Sequence, residues 1–427
     1  MKNQDIASLG AQESLIRWRF PFVLLLTVFV AYLDRMKISY ALPKIAEDYG
    51  WSVQQTGNYG GLLMSVFYIG YGLSNIFLSP IGEKYGPRKS LLFIIICFSL
   101  ICMLQAPLAL MFIPLLTTRL FLGIAEGIHF PMMNVLTKNW FPPFERSRAN
   151  AIWLAGIQGS MIFAPLIVIP IIEFWNWRIM FIVLGLTGLI VVLPSVWFTI
   201  VDTPKEHRKI GAKELAYIEN NLEKDLPEKE HFWEGVRYFL KNRNYWICVL
   251  AGILSNVAAF GTLSWLPTYF TEARGLKFSD MAYATSIPFV FAIIGLLFWA
   301  YLGDKSNRRN LLAAIGALGA GISIYFATRD ISVVGTVAFF SLAVFFQSSY
   351  SAGGFVVVQR ILPQTRVASG IGLFNGLSML IGGALGPIIV GGVVSKTGDF
   401  TMGILSLMFV SFATSAVLFI LSRFLKY

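Results

Sequence analysis

Five Asp, Glu, Lys or Arg side chains lie within two apolar stretches that are each long enough to cross a membrane. Asp34, Arg35 and Lys37 belong to the first stretch, VLLLTVFVAYLDRMKISYALP, and Arg119 and Glu126 belong to the fourth, TTRLFLGIAEGIHFP. A charge at the centre of a membrane helix costs roughly 2.5–3.5 kcal/mol on insertion scales, so its presence there is by default a sign of function. Cations at this depth indicate an anionic cargo, and carboxylates indicate a proton that travels with it.

The composition is that of an integral membrane protein. Of 427 residues, 56% are hydrophobic and 13% are charged, and the mean hydropathy is +0.67, whereas soluble domains carry about 25% charge. Apolar runs of ~20 residues indicate helices, because barrel strands would be ~10 residues long and alternating. We therefore predict an all-α polytopic membrane protein with twelve spans, at residues 19–39, 57–80, 90–108, 110–136, 149–172, 177–200, 245–270, 281–302, 310–327, 332–359, 366–394 and 400–424.

One long polar segment divides the chain into two parts with six predicted spans each. This segment covers residues 201–244; it begins near the helix-breaking Pro204, and its charged remainder is partly amphipathic. We therefore predict an N-terminal six-helix half at 1–200, a cytoplasmic central loop at 201–244 and a C-terminal six-helix half at 245–427.

A weak internal repeat indicates that the two halves are similar. Residues 83–89, EKYGPRK, follow the second span, and residues 304–309, DKSNRR, follow the eighth. The acids Glu83 and Asp304 are 221 positions apart, which is about half the chain. Repeats at this spacing are typical of transporters whose cargo site lies between two halves at the middle of the membrane.

The repeated loops also predict gates at the cytoplasmic ends of the helices. Glu83 with Arg88, and Asp304 with Arg308 or Arg309, would clamp helix ends in an outward-facing state and release them in an inward-facing one. The alternative is that the basic residues serve membrane topology alone. We favour gating because an acid accompanies the bases in both halves.

Loop charge predicts the orientation of the chain. Cytoplasmic loops carry an excess of Lys and Arg, and here the loops after even-numbered spans and the central segment are basic. Both termini and the central loop are therefore predicted to face the cytoplasm. The chain contains no N-x-[ST] sequon, and we predict a bacterial inner membrane. The loops account for the net charge of +11, so we predict no nucleic-acid partner.

Motifs along the whole chain match those of one family. The matching residues are Tyr32-Leu33-Asp34-Arg35 with Ile38-Ser39, Arg119 with Gly123, Glu126 and Pro131, Glu214–Ile218, Trp265–Phe270, and Asn375-Gly376 with Gly382-Gly383 and Pro387. Together with the duplicated loop, they resemble the major facilitator superfamily and, within it, the anion:cation symporter family. Members of that family move organic anions such as hexuronates, glucarate and phthalate. The chain departs from the motif at Lys37, where the family usually has Asn.

The resemblance implies roles for individual residues. Asp34 and Glu126 are expected to take part in proton coupling. We expect substrate binding by a larger set, namely Tyr32, Arg35, Tyr68, Arg119, Gln158, Ser351 and Asn375. Trp265 either lines the cavity or packs in the core.

Each charged residue also has a purely structural interpretation. Arg35 either offers paired donors to a carboxylate of the cargo or forms a salt bridge with a buried acid. Arg119 and Glu126 are seven positions apart and share a helix face. Arg119 therefore tunes a proton on Glu126, or the two form a permanent pair between the first and fourth helices. Asp34 points about 100° away from Arg35 and is either a proton carrier or a conformational latch.

Two further residues have open alternatives. Lys37 either adds a cation near the site or extends its ammonium to the outer interface. His129, three residues after Glu126, either joins a proton relay or packs beside Phe130.

These observations predict a secondary active transporter that imports a small organic anion, such as a sugar acid, together with protons by alternating access. No nucleotide-binding loop of the GxxxxGK[ST] kind is present, and we predict no cofactor or metal. The expected partners are the anion, protons and membrane lipid, and a monomer suffices mechanically. The alternatives are an efflux transporter of drugs or metabolites and a non-transporting sensor. A membrane-embedded enzyme is disfavoured because the sequence has no metal-ligand cluster and no nucleophile–base spacing.

Overall fold

The fold is described from a computed structural model of the chain. The structure describes residues 16–222, 239, 241–329, 332–362 and 367–425, so part of the predicted central loop lies outside the described residues. Within that part of the chain, twelve helices are long and apolar enough to cross a membrane, which confirms the predicted architecture. They are α1 Ile16–Tyr49, α2 Val53–Phe77, α3 Pro87–Leu108, α4 Phe112–Trp140, α5 Pro143–Phe174, α6 Trp177–Thr199, α7 Arg243–Ala273, α8 Met281–Ser306, α9 Arg309–Arg329, α10 Val333–Ile361, α11 Gly370–Thr397 and α12 Phe400–Phe424.

The first helix is longer than predicted. The prediction ended it at residue 39, but α1 continues through Pro43 to Tyr49. A proline in a membrane helix removes one backbone donor, and neighbouring helices supply the packing that tolerates it. The helix ends at Gly50, whose φ of 63° is the left-handed conformation that glycine adopts without strain.

Helices α2 and α11 pack closely at the end of the bundle opposite the central loop, which we call the far end. A Cβ atom added to Gly391 of α11 would lie 2.3 Å from the carbonyl oxygen of Gly57 in α2. Small residues permit such an approach of two backbones. Trp265 of α7 donates its indole N–H to the carbonyl oxygen of Pro387 at 3.0 Å and is buried. Of its two predicted roles, Trp265 therefore has the packing role in this structure.

The contact between α2 and α11 gives a stability prediction with a matched control. We expect Gly391→Ala to lower the unfolding temperature of the purified protein in detergent, because overpacking a tight site costs about 1–3 kcal/mol. Gly392→Ala should unfold like the unmodified protein, since a Cβ atom there meets nothing within 4 Å. Equal unfolding temperatures for the two variants would contradict the close packing of these helices.

The described part of the central loop is fastened to the helix ends beside it. Arg17 at the start of α1 pairs with Glu145 of α5 at 3.1 Å and with Glu214 of the loop helix Ala212–Asn221 at 3.2 Å. Tyr217 of the same loop helix donates its hydroxyl to Glu145 at 3.0 Å. The loop helix is therefore tied to the starts of both α1 and α5.

Candidate functional site

The fourth membrane helix is interrupted directly after Glu126. It consists of the segments Phe112–Glu126 and His129–Trp140, joined by a turn. Pro131 has no backbone N–H, so the carbonyl of Gly127, four residues earlier, lacks its helical donor. Asn75 of α2 supplies a donor instead, at 2.9 Å. The interruption leaves irregular but satisfied backbone next to a carboxylate at membrane depth, an arrangement found where a helix is buried in protein or lines a cavity.

Arg35 lies at the centre of α1 and faces α2 and α4. Its Nη2 is 3.4 Å from Oε2 of Glu126 in α4. The guanidinium carbon is 4.3 Å from the ring centroid of Tyr32, 5.1 Å from that of Phe67 and 4.6 Å from that of Tyr71. Rings at these distances stabilise a cation through their electron-rich faces. Three aromatic rings and one carboxylate therefore hold the guanidinium in place.

The sequence predicted that Arg119 interacts with Glu126, but the hydrogen bonds of its guanidinium go to the backbone of other helices. It donates to two backbone carbonyl oxygens, those of Leu63 in α2 at 3.3 Å and Arg35 in α1 at 3.4 Å. Gly123, one turn along α4, lets α2 approach, since a Cβ atom there would lie 2.1 Å from a carbonyl oxygen of α2. Arg119 therefore joins three helices, and the ion-pair partner of Glu126 in this structure is Arg35.

Lys37 and Asp34 form a second buried ion pair, one turn apart on α1. The ammonium of Lys37 also donates to Sγ of Cys102 in α3 at 2.9 Å and lies 4.9 Å from the ring centroid of Phe181 in α6. The side chain of Lys37 is fully buried. The hypothesis that Lys37 extends to the membrane interface is therefore wrong, and its charge remains within the helix bundle.

Several polar atoms of these buried charged groups have no hydrogen-bond partner within the described part of the chain. The side chains of Arg35, Arg119 and Glu126 are all at most 3% exposed. The unpartnered atoms are Nε and Nη1 of Arg35, Nη1 of Arg119, Oε1 of Glu126 and Oδ2 of Asp34. A purely structural salt-bridge network would satisfy its buried donors and acceptors. The unpartnered guanidinium nitrogens of Arg35 and Arg119 can donate hydrogen bonds to an anion.

The far end of the bundle closes this charged cluster off from one side. A cavity of about 420 Å³ opens at the far end and reaches Thr56 of α2 and Thr268 of α7. The layer formed by Gly57, Gly391 and Trp265 follows directly beneath it. The cavity and the charged cluster are therefore separated by packed helices.

The uncharged residues predicted to bind substrate occupy different surroundings. Tyr32 and Tyr68 are buried beside the cluster, and Tyr68 interacts electrostatically with both Arg35 and Arg119. Tyr68 also contacts α7: its ring centroid lies 4.7 Å from that of Phe260. It therefore connects the cluster to the second set of six helices.

Three other predicted residues are more exposed than the charged groups of the cluster. Gln158 of α5 is half-buried and its Oε1 has no hydrogen-bond partner in the described part of the chain. Ser351 of α10 is exposed and Asn375 of α11 is half-buried. Their roles in substrate binding remain predictions. His129 accepts or donates a hydrogen bond at 3.1 Å with Thr27 of α1, which is the contact of a packed side chain.

The first predicted gate has a partner on α6. The guanidinium of Arg88 donates a hydrogen bond to the carbonyl oxygen of Trp197 at 2.8 Å. Its backbone N–H donates to Oδ1 of Asp202 at 2.6 Å. The guanidinium also lies 5.5 Å from the ring centroid of Trp197. The pairing of Arg88 with Glu83 therefore stays a prediction for another conformational state.

The second predicted gate shows an ion pair. Asp304 at the end of α8 pairs with Arg309 at the start of α9. Arg309 also reaches the carbonyl oxygen of Ala352 in α10, at 3.5 Å. Arg308 contributes a backbone hydrogen bond to Ser306. Of the two arginines proposed as partners of Asp304, Arg309 therefore makes the contact that joins three helices.

Comparison with known proteins places the fold. A sequence model of the Major Facilitator Superfamily matches residues 24–387 and 278–426. The chain belongs to the major facilitator superfamily. It is 28% identical to a hexuronate transporter of Bacillus subtilis (strain 168) over 90% of both chains, and 26% identical to the probable galactarate/D-glucarate transporter GudP of the same organism, over 93% of this chain and 90% of that one. The crystal structure of a bacterial homologue of the human lysosomal transporter Spinster superposes with a TM-score of 0.77, over 97% of each chain, at 19% identity.

Membership of the major facilitator superfamily confirms the resemblance drawn from the motifs. The chain is therefore a multi-pass membrane transporter and not an enzyme. The family fold explains why charges from α1 and α4 meet although they are some ninety positions apart: Arg35 and Glu126 face each other across the contact that α2 makes with both helices.

Three residues around the cluster were not among those predicted from the sequence to bind substrate or protons. Phe67 and Tyr71 lie four positions apart on one face of α2 and both cover Arg35, while Asn75, a further turn along, supplies the donor to α4. The i, i+4 spacing of an aromatic, an aromatic and an amide was the available signal. Which residues these side chains contact depends on which helix packs against that face, and the spacing alone does not show this.

Proposed function

We propose that this protein imports a small organic anion together with protons, with Arg35 as the main anion-binding group and Glu126 as a proton carrier. The observation that carries this proposal is the charge of the buried cluster. Within the described part of the chain, the buried cluster contains the three cations Arg35, Lys37 and Arg119 and two carboxylates, those of Asp34 and Glu126. One positive charge is therefore in excess when both carboxylates are ionised. A buried excess charge is unfavourable without a counterion, and an anionic cargo would supply it.

The hydrogen-bonding capacity of the cluster supports an anion with carboxylate groups. Arg35 uses one of its nitrogens for Glu126, and its Nε and Nη1 are unpartnered in the described part of the chain. Nη2 is next to each of these nitrogens and carries a second N–H, so with either of them it can form the pair of donors that matches the two oxygens of a carboxylate. The relatives named as hexuronate and galactarate/D-glucarate transporters are named for cargoes with such groups.

The contact between Arg35 and Glu126 provides a means of coupling. An ionised Glu126 competes with the cargo for the guanidinium, because both are anions that bind the same donors. Protonation of Glu126 removes that competition and frees Arg35 for the cargo. Release of the proton restores the internal pair and displaces the cargo. Binding of the anion and binding of the proton to Glu126 therefore favour each other.

The surrounding architecture fits alternating access between two six-helix halves. We propose that residues 1–200 and 245–427 form these halves, and that both termini and the central loop face the cytoplasm of a bacterial cell. The halves meet where α2 packs on α11, α5 on α8 and α1 on α7. Separation of α2 from α11 at Gly57 and Gly391 would open the far end. A monomer contains all these parts.

The experiment is an uptake screen in proteoliposomes under an imposed pH gradient. D-glucuronate, D-galacturonate, galactarate and D-glucarate should be tested, with a neutral hexose as the matched control. We expect uptake of at least one acid that rises when the outside is made acidic and that a protonophore abolishes. Uptake of the hexose alone would refute the anionic cargo.

Two other functions would give distinct outcomes in the same vesicles. An efflux transporter would move the compound against the direction of the imposed proton gradient. A sensor would bind an acid without uptake. Either outcome would replace the proposal of proton-coupled import.

A further inference from the structure

The Lys37–Asp34 pair is as deeply buried as the Arg35–Glu126 pair, and its two charged groups are in closer contact. Lys37 and Asp34 are at most 2% exposed, and the ammonium contacts the carboxylate, the thiol of Cys102 and the ring of Phe181. Cys102 in turn donates to the carbonyl oxygen of Phe181 at 3.1 Å. These contacts come from α1, α3 and α6. The pair is thus held within the first six helices by groups that have no role in the proposed transport.

We infer that Lys37 keeps Asp34 permanently as its counterion, so that Asp34 carries no proton during transport and Glu126 is the only proton carrier in this cluster. The inference rests on the proposed function and departs from the role that the family motif implies for Asp34. It makes Lys37 a positioning residue that sets the number of protons moved with each anion.

The reason is the cost of an unpaired buried charge. Protonation of Asp34 would leave the ammonium of Lys37 without a counterion in surroundings made of a thiol and an aromatic ring, and breaking a buried ion pair in this way is strongly unfavourable. Transfer of the ammonium proton to Asp34 would give a neutral pair with the same total number of protons. The first event is therefore disfavoured, and the second takes no net proton from the solution.

Other ionisable groups also lie near Asp34. On α1 it is beside Arg35 and paired with Lys37, on α3 it faces Cys102, and on α4 it interacts with Arg119 and Glu126. The groups around Asp34 therefore include three cations and one other carboxylate. Glu126, by contrast, lies 3.4 Å from its ion-pair partner Arg35, which is a longer contact than that between Lys37 and Asp34.

A neutral replacement of the whole pair tests the inference. The double variant Asp34→Asn/Lys37→Met should retain pH-driven uptake of D-glucuronate within about threefold of the unmodified protein, because replacing both members of a buried pair is often close to neutral. Asp34→Asn and Lys37→Met alone should each lose about tenfold or more, because each leaves one buried group without its partner. If the double variant exchanges labelled D-glucuronate but no longer accumulates it with a pH gradient, Asp34 is a proton carrier and the inference is wrong.

A second measurement needs no variant. The ratio of protons to D-glucuronate in the unmodified protein, obtained from the pH gradient that just balances an opposing substrate gradient, should be one. A ratio of two would overturn the inference. Failure of the proposed function is seen separately, because it would be an absence of proton-driven uptake in the unmodified protein before any variant is compared.

Discussion

Arg35→Ala should lower uptake of the transported anion by about a hundredfold, which corresponds to about 3 kcal/mol of lost binding. The guanidinium is the one cation of the cluster that combines an aromatic enclosure, a carboxylate partner and two unpartnered nitrogens in the described structure. Its removal takes away the paired donors that a carboxylate needs. The protein should still fold, because Glu126, left alone, can become neutral by taking up a proton. Uptake of labelled D-glucuronate into proteoliposomes measures the effect.

Two variants serve as controls for the loss of Arg35. Arg35→Lys keeps the charge but not the planar pair of donors, and we expect uptake between those of the unmodified protein and Arg35→Ala. Arg274→Ala removes a partly buried arginine near the far end, where Arg274 donates to the carbonyl oxygen of Ala327, and should leave uptake close to normal. If Arg35→Ala transported normally, Arg35 would be a structural residue only.

Glu126→Gln should separate transport from the proton gradient. The amide has the shape of the carboxyl group and can accept from Arg35, but it cannot take up or release a proton. We expect exchange of internal for external D-glucuronate to continue, since exchange needs no net proton movement. Accumulation driven by a pH gradient should fall at least about tenfold, because only a group that changes its protonation state can couple the two flows.

The control for Glu126→Gln is a carboxylate at the far end. Glu272 lines the cavity there and lies beyond the packed layer that separates the cavity from the cluster. Glu272→Gln should keep both exchange and accumulation. Loss of exchange together with accumulation in Glu126→Gln would mean that the side chain holds α1 and α4 together and carries no proton.

The twelve membrane helices could be predicted from the sequence because their apolar runs are long and loop residues separate them. The same reasoning placed Arg35 and Glu126 in the interior, since charge is excluded from lipid. The predicted end of α1 was too early because a proline can either end a helix or be accommodated within it. Pro43 is accommodated because neighbouring helices pack around it. Hydropathy contains no information about that packing.

The partners within the cluster could not be predicted. Arg119 and Glu126 share a face of α4, which indicated a pair, but a helix face does not show which side chain of another helix fills the space between two residues. Close approach of α2 at Gly123 draws Arg119 to backbone carbonyls and leaves Glu126 to Arg35. Likewise, the position of the Lys37 ammonium depends on Cys102 and Phe181. These residues are distant in sequence and uncharged, so nothing in the sequence marks them as its neighbours.

The most direct test of the account is to follow protons and anion in the same vesicles. Proteoliposomes with a pH-sensitive dye inside should acidify when D-glucuronate, or another acid found by the uptake screen, is added outside without an imposed pH gradient. The acidification should parallel uptake of the label and should be absent with Arg35→Ala and with Glu126→Gln. Uptake of the acid with no change of internal pH, or an equal change with Glu126→Gln, would contradict the proposal that this buried cluster binds an anion and a proton together.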